Sequence, residues 1–159
     1  MDADQQTGSD IADLVTLRGV VAQLRAATKR QLLQELARRA ALMTGIADKR
    51  IYDALVERER LGTTGIGMGV AIPHCRLPDL SRLHGMFARL ERPVPFEAID
   101  DQPVDLVFLL LAPAEAGAEH LKALARVSRL LRDRAMCEKL RGANSADALY
   151  ALLTGGAAM

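Results

Sequence analysis

The sequence predicts an α/β domain, a mixed β-sheet flanked by helices on both faces. Three observations predict it. The run Leu106–Ala112 is apolar throughout and bracketed by Pro103 and Pro113, which fits a strand buried on both faces, although periodicity alone also allows a buried helical turn. Helical patterns at both ends of the chain surround a strand-rich centre from Thr63 to Pro113. Finally, half of the 159 residues are hydrophobic while 3% are aromatic and none is Trp, so aliphatic side chains must fill a single full-sized core.

The elements follow in order. Residues 1–10 are polar and read as a flexible N-terminal lead-in to a domain over 11–154, with 155–159 as a tail. Ile11–Leu17 suits a short helix or turn, and Val20–Ala26 a weak first strand. Thr28 opens a strong helix: Gln31 completes a capping-box pattern, Leu32, Leu33, Leu36, Ala37, Ala40 and Met43 form one face, and Gly45 stops it. A second helix starts at Asp48, turns Ile51, Ala54 and Leu55 inward, and ends near Gly62. Gly65–Pro73 and Leu83–Leu90 read as strands, and Val94–Phe96 as an edge piece pinned by two prolines. Helix returns at Gly117–Leu131 and around Met136–Leu140. Ser145 caps a last helix that turns Leu149, Leu152 and Leu153 inward.

Bulk properties exclude several classes. Twenty-one basic and twenty acidic residues give a net charge of +1, without the basic excess of a nucleic-acid footprint. No apolar run approaches the roughly 20 residues that span a bilayer, and residues 1–6 lack the features of a signal peptide. Cys75 and Cys137 are too few for a disulfide framework, so a cytoplasmic protein with reduced thiols is expected.

The chemistry concentrates in Gly65-Ile66-Gly67-Met68-Gly69-Val70-Ala71-Ile72-Pro73-His74-Cys75-Arg76. Glycine lets the main chain approach an anion closely, so N–H groups of this loop and those after His74 are candidate phosphate donors. An imidazole whose N–H is held by a backbone carbonyl aims its other nitrogen at incoming phosphorus. The run therefore reads as a phosphohistidine site. His120 falls on the inward face of its helix with Leu124, Val127 and Leu131, near a helix N-terminus that favours anions. Arg58 ends the helix that feeds the glycine loop, and its guanidinium suits phosphate oxygens. Taken alone, His120 is more simply a core histidine and Arg58 a solvated helix end. Arg60 reads as surface charge, His84 as structural and Cys75 as a packing residue whose thiol, beside the nucleophile, is a candidate for oxidation.

Other motifs fail. The third glycine comes one residue early for the dinucleotide fingerprint, and no Gly-Lys-Ser/Thr follows for a phosphate loop of the Walker kind. His74 and Cys75 point apart if extended, which is poor zinc geometry. A Gly-x-Ser-x-Gly elbow is absent. No metal and no cofactor are called for.

Arg58–His74 resembles the active-site segment of the fructose/mannitol-type enzyme IIA domains of the bacterial phosphotransferase system. Phe96–Leu106 and His120–Ala125 resemble two further segments of that family, in the same order, and the similarity continues to about Leu153. The form of Phe96–Leu106 and the solitary domain are most similar to the nitrogen-regulatory branch. The resemblance implies the enzyme IIA fold and a phosphoenolpyruvate-dependent relay. In it an HPr-like phosphocarrier (NPr) charges Nε2 of His74, His120 supports the phosphate, and Arg58 is the active-site arginine. Thr64, Gly65, Gly67, Gly69 and Cys75 are the positions expected to line the phosphate. Partners implied by the branch are regulated targets such as a potassium-transport component or the (p)ppGpp synthetase/hydrolase. Two competing expectations are a sugar-system IIA that feeds a IIB domain and a binding module that has lost phosphorylation. The last is motivated by Met68 and Cys75, where the family usually has Asn and Gly. Met68 removes an amide that could order the loop, and Cys75 adds a Cβ beside the phosphate site.

Overall fold

A computed structural model describes residues 11–155; the lead-in and most of the tail lie outside the described residues. Strands β1 (Val15–Leu24), β2 (Gly65–Gly67), β3 (Val70–Ala71), β4 (His74–Leu77), β5 (His84–Val94) and β6 (Val104–Pro113) form one mixed sheet. Its order is β1-β5-β6-β3-β2, and β4 also pairs with β6. β1 lies parallel to β5, β5 antiparallel to β6, and β3 and β4 parallel to β6.

Among the described residues five helices cover the sheet: α1 (Lys29–Thr44), α2 (Asp48–Arg60), α3 (Gly117–Leu131), α4 (Arg134–Gly142) and α5 (Ala146–Thr154). Alternation along β6 divides the core in two. Val107, Leu109 and Leu111 pack with Leu32, Leu36 and Leu55 of α1 and α2. Leu106, Phe108 and Leu110 pack with Val127, Leu140 and Leu153 of α3, α4 and α5. The apolar run is thus the central strand, covered on both faces as its composition predicts.

The helix signals hold in detail. Thr28 accepts from Gln31 N–H at 3.1 Å, while Gln31 Oε1 reaches back to Ala27 N–H at 2.9 Å. Gly45 closes α1 in the left-handed region, and Ser145 caps α5 through Ala148 N–H at 3.1 Å.

Three strand expectations need correction. The first strand runs Val15–Leu24 rather than Val20–Ala26, so the expected helix or turn is confined to Ile11–Leu14 and Val15–Leu17 is already strand. Val94 is no edge piece: it ends β5 and pairs with Val104 across an irregularity that accommodates Pro93, and Phe96 lies beyond the strand. The Gly65–Pro73 strand is a hairpin of β2 and β3 whose turn residues, Met68 and Gly69, have φ of 58° and 81°. Two positive values in succession are what a type I′ two-residue hairpin turn requires. Its ends are tied by Asp100, which accepts from Met68 N–H at 3.0 Å, and by Arg141, which donates to the Met68 carbonyl at 2.7 Å. After Ala71 the chain breaks at Ile72-Pro73, where proline lacks an N–H, and resumes pairing along the same edge of β6 as β4.

Candidate active site

His74 is the first residue of β4 and pairs with Leu110. The break before it leaves the Ile72 carbonyl available, and His74 Nδ1 lies 2.8 Å from that oxygen. On the other side of the ring, Arg58 Nε donates to His74 Nε2 at 3.1 Å, and Arg58 also holds the Gly62 carbonyl at 2.9 Å. A guanidinium only donates. Nε2 therefore carries the lone pair and Nδ1 the proton, which goes to Ile72. Burial pushes the His74 pKa below the ordinary histidine range, against the Ile72 hydrogen bond and with help from the Arg58 and Arg76 cations.

His120, in the first turn of α3, is buried, and its ring meets that of His74 edge to face with centroids 5.4 Å apart. Arg76 Nε donates to His120 Nδ1 at 3.1 Å, and His120 Nε2 is buried with no hydrogen-bond partner. Burial first, then His74, Arg76 and Arg58, lower the His120 pKa to about 4, so it is neutral at pH 7. The structure thus gathers His74, His120 and Arg58, and adds Arg76. Strand alternation was the signal for Arg76, since residues two apart in β4 share a face.

The glycines are placed elsewhere. Val70 pairs with Leu106 while His74 pairs with Leu110, a separation of about 13 Å along β6 at 3.3 Å per residue. Gly67 and Gly69 lie beyond Val70, at the hairpin turn, against Asp100 and the Arg141–Asp105 ion pair. Gly65 packs against Phe96 and Ala98. Thr64 is buried, and its N–H and hydroxyl both donate to Glu59, which Lys29 meets at 2.8 Å. That knot fastens the end of α2, and so the root of Arg58, to the chain leading into β2. Cys75 faces away from His74, into the α1/α2 core, where burial pushes its thiol up to about 12. His84 pairs with Leu111 on that same opposite face and takes no part in the site. The described residues contain no group of three or more His, Cys, Asp or Glu able to hold a metal.

The site thus sets an imidazole on β4, the strand that extends the sheet along β6, with its Nε2 lone pair facing an arginine donor and a second, buried histidine beside it. Residues 13–155 match the family described as "Phosphoenolpyruvate-dependent sugar phosphotransferase system, EIIA 2", and the chain belongs to it. Within it the chain falls in the nitrogen-regulatory branch. It is 54% identical over 143 residues to the nitrogen regulatory protein of Bradyrhizobium diazoefficiens, covering 90% of this chain and 94% of that one. Identity to the nitrogen regulatory protein of Escherichia coli (strain K12) is 41% over 128 residues, 80% and 78% of the two chains. The crystal structure of nitrogen regulatory protein IIA-Ntr from Neisseria meningitidis superposes with a TM-score of 0.86 at 34% identity, covering 92% of this chain and all of that one. No helix of the described residues is long and apolar enough to cross a membrane.

Proposed function

We propose that His74 accepts a phosphoryl group on Nε2 from an HPr-like phosphocarrier, and that the phosphorylation state then governs which regulatory target the protein binds. One observation carries the proposal: the nucleophilic lone pair of His74 lies on the nitrogen beside Arg58, and the neighbouring buried His120 Nε2 has no partner. In the transfer, the N–P bond of the donor's phosphohistidine breaks and a bond to His74 Nε2 forms. No proton need move, because Nδ1–H stays on the Ile72 carbonyl. Arg58 leaves Nε2 and turns its donors to the phosphoryl oxygens, with His120 supplying another.

The new charge arises on a half-buried ring flanked by arginines, which changes the surface that a partner meets. Leu61 and Leu121, exposed neighbours of the Arg58 and His120 segments, offer apolar contact to that partner. Regulation of targets such as a potassium-transport component or the (p)ppGpp synthetase/hydrolase fits the nitrogen-regulatory branch.

Intact mass after incubation with enzyme I, an HPr-like carrier and phosphoenolpyruvate tests the relay. One acid-labile phosphoryl group is expected on the wild type and none on His74→Ala. Uptake by both, or by neither, would refute it. The family's sugar-system description favours a second reading, donation to a IIB domain. Formation of sugar phosphate with purified IIB and sugar would establish that reading instead.

A further inference from the structure

We infer that Arg76 is a positioning residue that locks His120 in its Nε2–H tautomer, so that the second histidine meets a phosphoryl group as a donor. This deepens the reading of the site given above and rests on it. Arg76 Nε stands 3.1 Å from His120 Nδ1. A guanidinium has no lone pair to offer, so Nδ1 must be unprotonated and accept. A neutral imidazole has one ring proton, which is then on Nε2. That is the nitrogen left buried without a partner, on a ring that meets the His74 ring edge to face.

Buried donors without acceptors destabilise a fold unless a ligand supplies the acceptor. A phosphoryl oxygen on His74 would do so. The opposite tautomer would turn a lone pair toward those oxygens and repel them. The two arginines therefore act in opposite ways. Arg58 holds the reacting nitrogen of His74 and must release it when phosphorus arrives. Arg76 holds the non-reacting nitrogen of His120 and stays in place in both states.

Local structure explains how Arg76 reaches its target. It follows His74 by two residues in β4, so the pleat gives both side chains the same face, while Cys75 and Leu77 enter the opposite core. Arg76 pairs with Ala112 near the end of β6, and the chain then turns at Pro113–Ala116 into α3, which carries His120 in its first turn. Arg76 itself is exposed, so removing its head group leaves the core untouched.

The test uses wild type, Arg76→Met, His120→Ala and the double variant of the full chain. Imidazole 15N spectra of the free protein report the His120 tautomer directly. Wild type should show Nε2–H alone, and Arg76→Met should show a substantial Nδ1–H population. The phosphate-transfer equilibrium with the HPr-like carrier should fall about tenfold in Arg76→Met, the size expected for losing one charge-assisted hydrogen bond. Arg76→Met should add nothing in the His120→Ala background. An unchanged tautomer in Arg76→Met overturns the inference. So does an equally large effect without His120, which would make Arg76 a direct phosphate ligand. If the wild type takes no phosphate on His74, the proposed function fails, while the tautomer measurement still decides the role of Arg76.

Discussion

Gly45 and Gly69 provide a matched pair for separating backbone strain from packing. Their φ angles are 80° and 81°, but a Cβ on Gly45 would meet nothing within 4 Å. A Cβ on Gly69 would lie 2.5 Å from Arg141 Nη2 and 2.8 Å from Asp105 Oδ1. Forcing alanine into the left-handed region costs about 1 kcal/mol at either site. At Gly69 the methyl group must also displace the two-pronged Arg141–Asp105 bridge, whose contacts are both 2.8 Å. Those side chains are 35% and 23% exposed, so after screening the added loss is about 1–2 kcal/mol. Gly45→Ala should therefore lower Tm by roughly 2–4 °C and Gly69→Ala by roughly 5–10 °C, measured by thermal unfolding. The extra loss should shrink in an Asp105→Ala background, where only the Arg141 bond to the Met68 carbonyl is left to displace. Because the hairpin turn stands away from His74, folded Gly69→Ala should still take up phosphate as the wild type does. Equal stability of the two variants, or a folded Gly69→Ala that takes up no phosphate, would refute the reasoning.

Other outcomes follow from the same contacts. The folded-state pKa values of His74 and His120 lie below the ordinary value, so between about 4 and 6.5 the unfolded chain binds more protons. Stability should thus rise with pH across that window and be lost as pH falls; urea midpoints should show the slope, and His120→Ala should flatten it. A slope of the opposite sign would contradict the burial of neutral imidazoles. Cys75→Ala should cost about 1 kcal/mol by urea unfolding, as a small buried truncation, and leave phosphate uptake intact. The native Cys75 thiol should also resist iodoacetamide, and rapid alkylation would contradict its place in the core. Thr64→Val should destabilise by about 1–3 kcal/mol, because Glu59 loses a hydroxyl donor within a closed knot; a neutral result in denaturant titration would show that Lys29 and the residue-64 N–H suffice for the carboxylate.

Local signals carried far into this fold, and long-range ones did not. Thr28, Gly45 and Ser145 act within four residues of themselves, so their caps were readable from the chain. The composition of Leu106–Ala112 fitted a strand covered on both faces, and its pairing with β4 and β5 removes the helical turn that periodicity also allowed. The alternating glycines were ambiguous: the same residues that permit close approach to an anion also permit the positive φ angles of a hairpin turn. Only the register against β6 separates the two uses. Pro73 looked like a strand end, yet its carbonyl still accepts from Leu110 N–H at 3.0 Å, and β4 continues beyond it. Missing β4 hid the shared face of His74 and Arg76, and it hid the fact that Cys75 points into the core. His74, Arg58 and His120 stood out as candidates, but their meeting depends on contacts 16 residues and more apart. Met68 supplies the same turn backbone that Asn would favour, because Asp100 and Arg141 tie that turn from outside.

The central claim is that His74 reacts through Nε2 while Nδ1 keeps its proton on the Ile72 carbonyl. A 15N–31P correlation spectrum of the protein charged through enzyme I and an HPr-like carrier tests it most directly. The account predicts one phosphorus, coupled to Nε2 of His74, with Nδ1 still protonated. Phosphorus on Nδ1, on His120 or on no histidine at all would contradict it.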